Sequence, residues 1–310
     1  MQAVAVTAQG GPEVLQVIER PDPVPGPGQV LVRVLAAVVH PADVAARLGL
    51  IPGGPVEPPF LPGWDFAGEV VEVGDGGGEY RPGDRVVGMV PWYRTRGEVG
   101  AYAELIAADI DWVVPLPEGL DPAAAATVPL NALTARQALE LMALPPMSTV
   151  LVTGASGGVG GFAAQLAVRA GHRVLAHAGR DDEDWVRDLG VAQVVPKEVD
   201  LAEVGPVPAV LDAVPLAESA AAAVTDGGTL VTTRPTPPVE PARGVRQQVV
   251  LIQFDRSLLG ELIGEVAEGR LRTRVATTLP LASAAEAHRI VEAGGVRGKV
   301  VLTPAYGTAG

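Results

Sequence analysis

Thr149-Val150-Leu151-Val152-Thr153-Gly154-Ala155-Ser156-Gly157-Gly158-Val159-Gly160 is the stretch on which the reading of this chain turns. Its first five residues are apolar or β-branched without a break, the pattern of a strand buried on both faces of a parallel sheet. A turn of glycines and small residues follows at once. Gly157 lets the backbone approach a pyrophosphate, and Gly160 lets the next helix pack closely on the strand. The helix N-terminus then presents unpaired N–H groups and the positive end of its dipole to phosphate. A flexible loop in a non-binding α/β domain is the competing reading. Context weighs against it, because strand, turn, helix and second strand occur in the order a dinucleotide site requires.

Working outward, residues 160–170 read as a helix with Phe162 and Leu166 on a sheet-facing side. Strands are expected near 149–153, 172–177, 193–196, 208–212, 228–233 and 247–252. Alternation of strand and helix implies right-handed βαβ units and a parallel sheet. Six such strands predict an α/β, doubly wound Rossmann sheet. At the tip of the second strand an NAD site carries Asp or Glu about 20 residues after the first glycine, whereas an NADP site supplies a cation. Here Ala178 occupies that tip and Arg180 follows, which favours NADPH. The acids Asp181, Asp182, Glu183 and Asp184 pull the other way, since they would weaken a 2′-phosphate site beside Arg180. As the start of a solvated helix they also suit the dipole.

Upstream, short apolar strands alternate with Pro/Gly turns, as in Gln29-Val30-Leu31-Val32-Arg33-Val34 and Asp84-Arg85-Val86-Val87-Gly88-Met89-Val90. This texture predicts a β-rich, barrel-like domain. Residues 123–143 are rich in helix formers, broken at Pro129 and stopped at Pro145-Pro146. After the sixth strand come helices near 256–268 and 283–293, and strands at 275–280 and 298–302. The expected organisation is a β-rich domain over 1–121, a dinucleotide-binding domain over 122–255, and a return segment over 256–310 that completes the first.

The chain has 310 residues, no cysteine and a formal net charge of −13. The charge repels nucleic acid and anionic lipid, so neither is an expected partner. Without cysteine there are no disulfides, no thiol catalysis and no cysteine-ligated zinc. No basic segment precedes an apolar run at the start, and no run reaches the ~18 apolar residues of a membrane helix. A cytoplasmic protein is expected.

Several further segments accompany the glycine turn. They are Met1-Gln2-Ala3-Val4, Gly11-Pro12-Glu13-Val14-Leu15, His40-Pro41-Ala42-Asp43 with Arg47 and Gly49, and Pro62-Gly63-Trp64-Asp65-Phe66-Ala67-Gly68. Arg81-Pro82-Gly83-Asp84-Arg85-Val86, Gly100-Ala101-Tyr102-Ala103-Glu104, Leu133-Thr134-Ala135 and Gly298-Lys299-Val300-Val301-Leu302 complete the set. Together they resemble the medium-chain dehydrogenase/reductase superfamily over essentially the whole chain, and within it the zinc-lacking quinone oxidoreductase (zeta-crystallin-like) branch. The resemblance implies a GroES-like barrel beside the Rossmann sheet. In the superfamily's alcohol dehydrogenases a catalytic zinc is held at positions that correspond here to His40, Trp64 and about Leu130, with Asp65 beside them. Trp64 and Leu130 cannot ligate zinc, and His40 and Asp65 are too few. No metal is expected. An acceptor that spreads the incoming negative charge itself, a quinone or an α,β-unsaturated carbonyl, is then the expected substrate.

The resemblance also supplies site residues. His40, where relatives often carry Asn, lies beside the nicotinamide ribose, as a positioning group or a proton donor. Asn131 and Thr134 sit near the nicotinamide, and Lys299 approaches it from the C-terminal strand. Ala155, Ser156, Gly157, Gly158, Val159, Gly160 and Arg180 make up the rest of the cofactor site. Trp64, Trp92 and Tyr93 are read as an aromatic slot for a flat substrate, with burial in the core as the alternative. Asp43 and Arg47, four apart on a helix, are expected to pair with each other. Enoyl reductases of the superfamily place a tyrosine shortly after the Arg-x-Gly segment, and residues 50–55 contain none. The sixth strand, Gln247-Gln248-Val249-Val250-Leu251-Ile252, is an apolar edge that a homodimer would cover. Two alternatives stand beside the quinone or enone reductase: a pathway-specific enoyl or ketone reductase of a biosynthetic intermediate, and a non-catalytic NADPH-binding protein.

Overall fold

The computed structural model describes residues 1–306. The strands run in chain order as β1 (Gln2–Val6), β2 (Leu15–Glu19), β3 (Gln29–Val39), β4 (Asp65–Val73), β5 (Arg85–Met89), β6 (Leu105–Asp109) and β7 (Val113–Pro115). They continue as β8 (Thr149–Thr153), β9 (Arg173–Ala178), β10 (Gln193–Pro196), β11 (Val207–Asp212), β12 (Val224–Thr232), β13 (Arg246–Val249), β14 (Val275–Pro280) and β15 (Lys299–Thr303). Contacts divide them between two compact units. One comprises Met1–Leu130, Phe254–Arg270 and the described residues from Arg274 onward; the other comprises Asn131–Gln253 and Leu271–Thr273.

The first unit is GroES-like and carries a seven-stranded sheet in the order β14-β15-β3-β4-β5-β7, with β6 also paired to β3. The eleven-residue β3 is its spine. Val30, Val32, Val34, Val38 and Val39 are all fully buried, as expected where β-branched side chains fill a pleated interior. β15 joins antiparallel to β3, with Val300 opposite Val39. That pairing brings the far end of the chain beside His40, the residue that follows β3. Gly298 makes the entry possible: its φ is +114°, and a Cβ there would lie 2.4 Å from the Arg274 carbonyl oxygen. The short helix Pro122–Ala126, capped by Asp121 accepting from Ala124 N at 2.9 Å, packs on β3, β4 and β5 and so belongs to this unit.

The second unit is a parallel six-stranded sheet in the order β10-β9-β8-β11-β12-β13, the doubly wound arrangement with its switch point between β8 and β11. All residues of β8 after Thr149 are buried. The helix Gly158–Arg169 buries Phe162, Ala163, Leu166 and Ala167. β13 ends at Val249, short of the expected 252; Val250 still bonds to Thr232 O, but Leu251 is 68% exposed. Among the described residues no helix is long and apolar enough to cross a membrane.

Candidate active site

In the second unit the glycine turn leaves β8 at Gly154, whose φ of +63° reverses the chain. Gly160 is where side chains are forbidden: a Cβ would sit 2.2 Å from Gly154 O and 2.8 Å from Thr153 O. The helix is thereby seated directly on the strand end, with its first turn open toward the carboxyl edge of the sheet. Gly158 is crowded from another side, its virtual Cβ 2.4 Å from Asn131 Oδ1. Asn131 is thus held against the turn, and Thr134 follows three residues later in the same helix, Pro129–Met142. Gly157 has only the Gly154 carbonyl nearby, at 3.2 Å.

Sequence reasoning did not single out Asp212, at the carboxyl end of β11. Thr153 Oγ1 donates to it at 2.7 Å, and Leu216 N and Ala217 N donate to its other oxygen at 3.0 Å each. This brace ties the two strands at the switch point. At the tip of β9, Ala178 is buried and Arg180 is exposed, with Glu198 Oε2 3.4 Å from its Nε. The Lys197 side chain lies alongside Gly179, 3.9 Å from its virtual Cβ. The backbone N–H groups of the turn are of the kind that a dinucleotide pyrophosphate accepts from.

In the first unit a buried polar cluster gathers around His40, between the end of β3, the start of β4 and the start of β15. Lys299 Nζ lies 3.2 Å from His40 Nδ1, and His40 Nε2 lies 3.0 Å from Asp65 Oδ2. A charged ammonium has only donors, so Nδ1 accepts and the imidazole proton sits on Nε2, donated to Asp65. Asp65 also accepts from Leu130 N at 3.0 Å. Burial holds His40 well below its usual range, and the Lys299 charge pushes the same way, so the ring is a neutral bridge. Burial lowers Lys299 to about 8 against the pull of Asp65 and Asp43. Burial raises Asp65 well above the carboxylate range, opposed by the Leu130 N–H and the Lys299 charge. Trp64 and Leu130 offer no donor to a metal, and the two remaining groups are spent on each other. Among the described residues no group of three or more His, Cys, Asp or Glu could hold a metal.

A second layer supports the cluster. Asp43 Oδ2 accepts from His40 N and Oδ1 from Gly63 N, both at 2.7 Å. Burial pushes its pKa up to about 7 despite these donors and the Tyr102 hydroxyl. The expected Asp43–Arg47 pair does not form, because Asp43 is turned back to cap its own helix; Arg47, fully buried, pairs with Glu292 instead. Tyr102 OH meets His288 Nε2 at 3.2 Å. The three aromatics expected to form a slot divide. Trp64 and Trp92 are core, their rings tilted 31° to each other with centroids 4.7 Å apart, and Trp92 Nε1 donates to Leu61 O at 2.7 Å. Tyr93 alone is exposed.

Two known families match in sequence. Residues 26–118 match the alcohol dehydrogenase GroES-like domain, and residues 188–302 match the zinc-binding dehydrogenase family. The quinone-oxidoreductase QR1 of Triphysaria versicolor, a chloroplastic protein, is 34% identical over 203 residues, covering 63% of this chain and 60% of its own. The NADPH-dependent alkenal/one oxidoreductase of Arabidopsis thaliana is 29% identical over 286 residues, or 89% of this chain and 72% of that protein. The solved quinone oxidoreductase of Coxiella burnetii superposes with a TM-score of 0.88 at 29% identity, covering 98% of this chain and 99% of that one. The first curated relatives are spanned over 52–60% of their own length. The fold is that of a two-unit chain with a GroES-like domain and a dinucleotide-type parallel sheet. The chain belongs to the medium-chain dehydrogenase/reductase superfamily, on its quinone oxidoreductase branch.

Proposed function

We propose that the chain is an NADPH-dependent, metal-independent reductase that delivers hydride to a quinone or an α,β-unsaturated carbonyl. The observation that carries this reading is the Lys299–His40–Asp65 chain. It engages His40 and Asp65 with each other where the resemblance expects a zinc site, so neither is free to hold a Lewis acid that would steady an alkoxide. An acceptor that delocalises charge through its own π system needs none. NADPH, when bound, supplies the hydride. The residues proposed to hold it are 155–160 with Asn131 and Thr134, and Arg180 at the 2′-phosphate. Ala178 supports this choice, since no acid stands at the strand tip to claim the ribose hydroxyls. His40 is proposed to sit beside the nicotinamide ribose, and Tyr93 to border the acceptor.

The test is steady-state oxidation of NADPH by 1,4-benzoquinone and by a 2-alkenal, with and without a strong chelator. Turnover of either acceptor, unchanged by the chelator and slower with NADH, is expected. Tight NADPH binding without turnover of any acceptor would make the chain a non-catalytic binder. We further propose a cytoplasmic homodimer joined through β13, one of the two edge strands of the parallel sheet. A monomeric mass by light scattering at micromolar concentration would refute that pairing.

A further inference from the structure

Reduction of an enone needs a proton after the hydride, and one buried chain is arranged to provide it. Building on the reductase reading, we propose that Lys299 donates this proton, with His40 and Asp65 as positioning residues that hold it in the donating form. The three groups stand in line, 3.2 Å and 3.0 Å apart, so each imidazole nitrogen is fully engaged. His40 therefore has no proton to spare for a substrate. Lys299 spends one N–H on His40 and keeps two. It is also the outer end of the chain, 9% exposed against 1% for His40 and 0% for Asp65.

The arrangement has two net-neutral forms. In one, Lys299 is an ammonium and Asp65 a carboxylate, bridged by neutral His40. In the other, two protons have shifted along the chain, leaving a neutral amine, the opposite imidazole tautomer and a carboxylic acid. The lowering of Lys299 and the raising of Asp65 bring these forms closer in energy than they would be in water. The charged and titratable groups facing Lys299 are His40 from the end of β3, Asp43 from the helix Pro41–Arg47 and Asp65 from β4. From the β14 side, Arg274 presents a backbone carbonyl, accepting from Lys299 N at 2.8 Å. Gly298 fixes where the lysine enters, since no side chain fits at that position.

The step balances as follows. Hydride, which bound NADPH would supply on its oxidation to NADP+, forms a C–H bond at the β-carbon. The C=C π pair becomes the bond between the α-carbon and the carbonyl carbon, and the C=O π pair moves to oxygen, giving an enolate. The enolate π pair then takes the proton at the α-carbon as C=O re-forms. Lys299 gives one proton to the α-carbon, and the N–H pair remains on nitrogen as a neutral amine. Asp65 is then an uncompensated buried anion, which draws a solvent proton back onto Lys299.

The pH dependence of kcat with a 2-alkenal tests this, on wild type and on Lys299→Met, Lys299→Arg and Asp65→Asn. Wild-type kcat is expected to fall as pH rises past about 8, where the amine loses its proton. Lys299→Met should lose about 10²-fold in kcat, with a smaller change in KM, and should lose the alkaline limb. Lys299→Arg keeps the charge but cannot release its proton, so it should lose kcat about as Lys299→Met does and show no alkaline limb. Asp65→Asn should move it to lower pH, because the anion that favours the ammonium is gone. A Lys299→Met enzyme that keeps both the limb and a kcat within about threefold of wild type overturns the assignment. If that variant does not fold, an unmoved limb in Asp65→Asn overturns it. Wild type that reduces neither the alkenal nor benzoquinone overturns the reductase reading, and this assignment with it.

Discussion

The Asp43 carboxylate fastens Gly63 N to the start of the helix Pro41–Arg47, one oxygen on Gly63 N and the other on His40 N, each at 2.7 Å. Gly63 can sit there only as glycine: its φ is +104°, and a Cβ would lie 2.7 Å from the Tyr102 ring. Because Asp43 is fully buried, Asp43→Asn turns an N–H donor toward a backbone N–H. The expected loss is about 1–3 kcal/mol, the cost of one buried unmet donor. Urea unfolding checks it, and an unchanged midpoint would show that the segment is held by packing alone.

Glu198 competes with any phosphate for Arg180. Both side chains are largely exposed, 74% and 48%, so their ion pair is screened and worth about 0.2–1 kcal/mol. Glu198→Gln should therefore tighten NADPH by at most about fivefold and leave NADH almost unchanged. Arg180→Ala should weaken NADPH more than NADH. Fluorescence titration with each cofactor decides it; equal effects on both would remove Arg180 from the 2′-phosphate.

The glycines of the turn serve separable ends. Gly160→Ala drives a methyl to 2.2 Å from a backbone carbonyl, so the helix must shift. A loss of about 1–3 kcal/mol is expected, as for overpacking elsewhere. Gly157→Ala meets nothing closer than 3.2 Å, so the fold should survive while the approach of a pyrophosphate is hindered. Thermal melts paired with NADPH titration separate the two. Intact binding in Gly157→Ala would argue that phosphate does not approach there.

His288 couples stability to pH. Burial, aided by the Arg47 charge, lowers its pKa to about 3. Between that value and 6.5 the unfolded chain binds the proton that the folded one refuses, so stability falls as pH falls through this window. Asp43, raised to about 7, acts in the opposite sense, taking up its proton first in the folded state. His288→Gln keeps a donor for Tyr102 and removes the titration. Its thermal midpoint should fall less than wild type's between pH 6.5 and 4, a difference of at most about 3 kcal/mol at pH 4. Parallel curves would show that other groups govern acid lability.

Local pattern carried most of the second unit. β8 and β10 stand where short runs rich in valine put them, and helices begin at Pro122 and Pro129, where proline fixes the first turn. β13 is shorter than its apolar letters suggested, because an edge strand lacks the second neighbour that would hold Leu251 in register. The glycine turn was legible because its constraints are local. The Lys299–His40–Asp65 chain was not: its members lie 25 and 259 residues from His40 and meet only through the β3–β15 and β3–β4 pairings. Asp43 and Arg47 misled for a related reason. Helical spacing places them together, but Asp43 finds backbone donors first.

The late arrival of β15 has a consequence for synthesis. Domains generally fold as units while the chain emerges. The six strands of the parallel sheet lie between Thr149 and Val249, ahead of β14 and β15 in translation order. β6 covers Gln29–Arg33 of β3, but the stretch Ala37–Val39 must wait unpaired on its β15 side until residues 299–303 leave the ribosome. The strand that covers this edge also carries Lys299. A chain cut short before that point would therefore lack both its closure and its proton donor, and its open β-edge would mark it for chaperones or proteolysis.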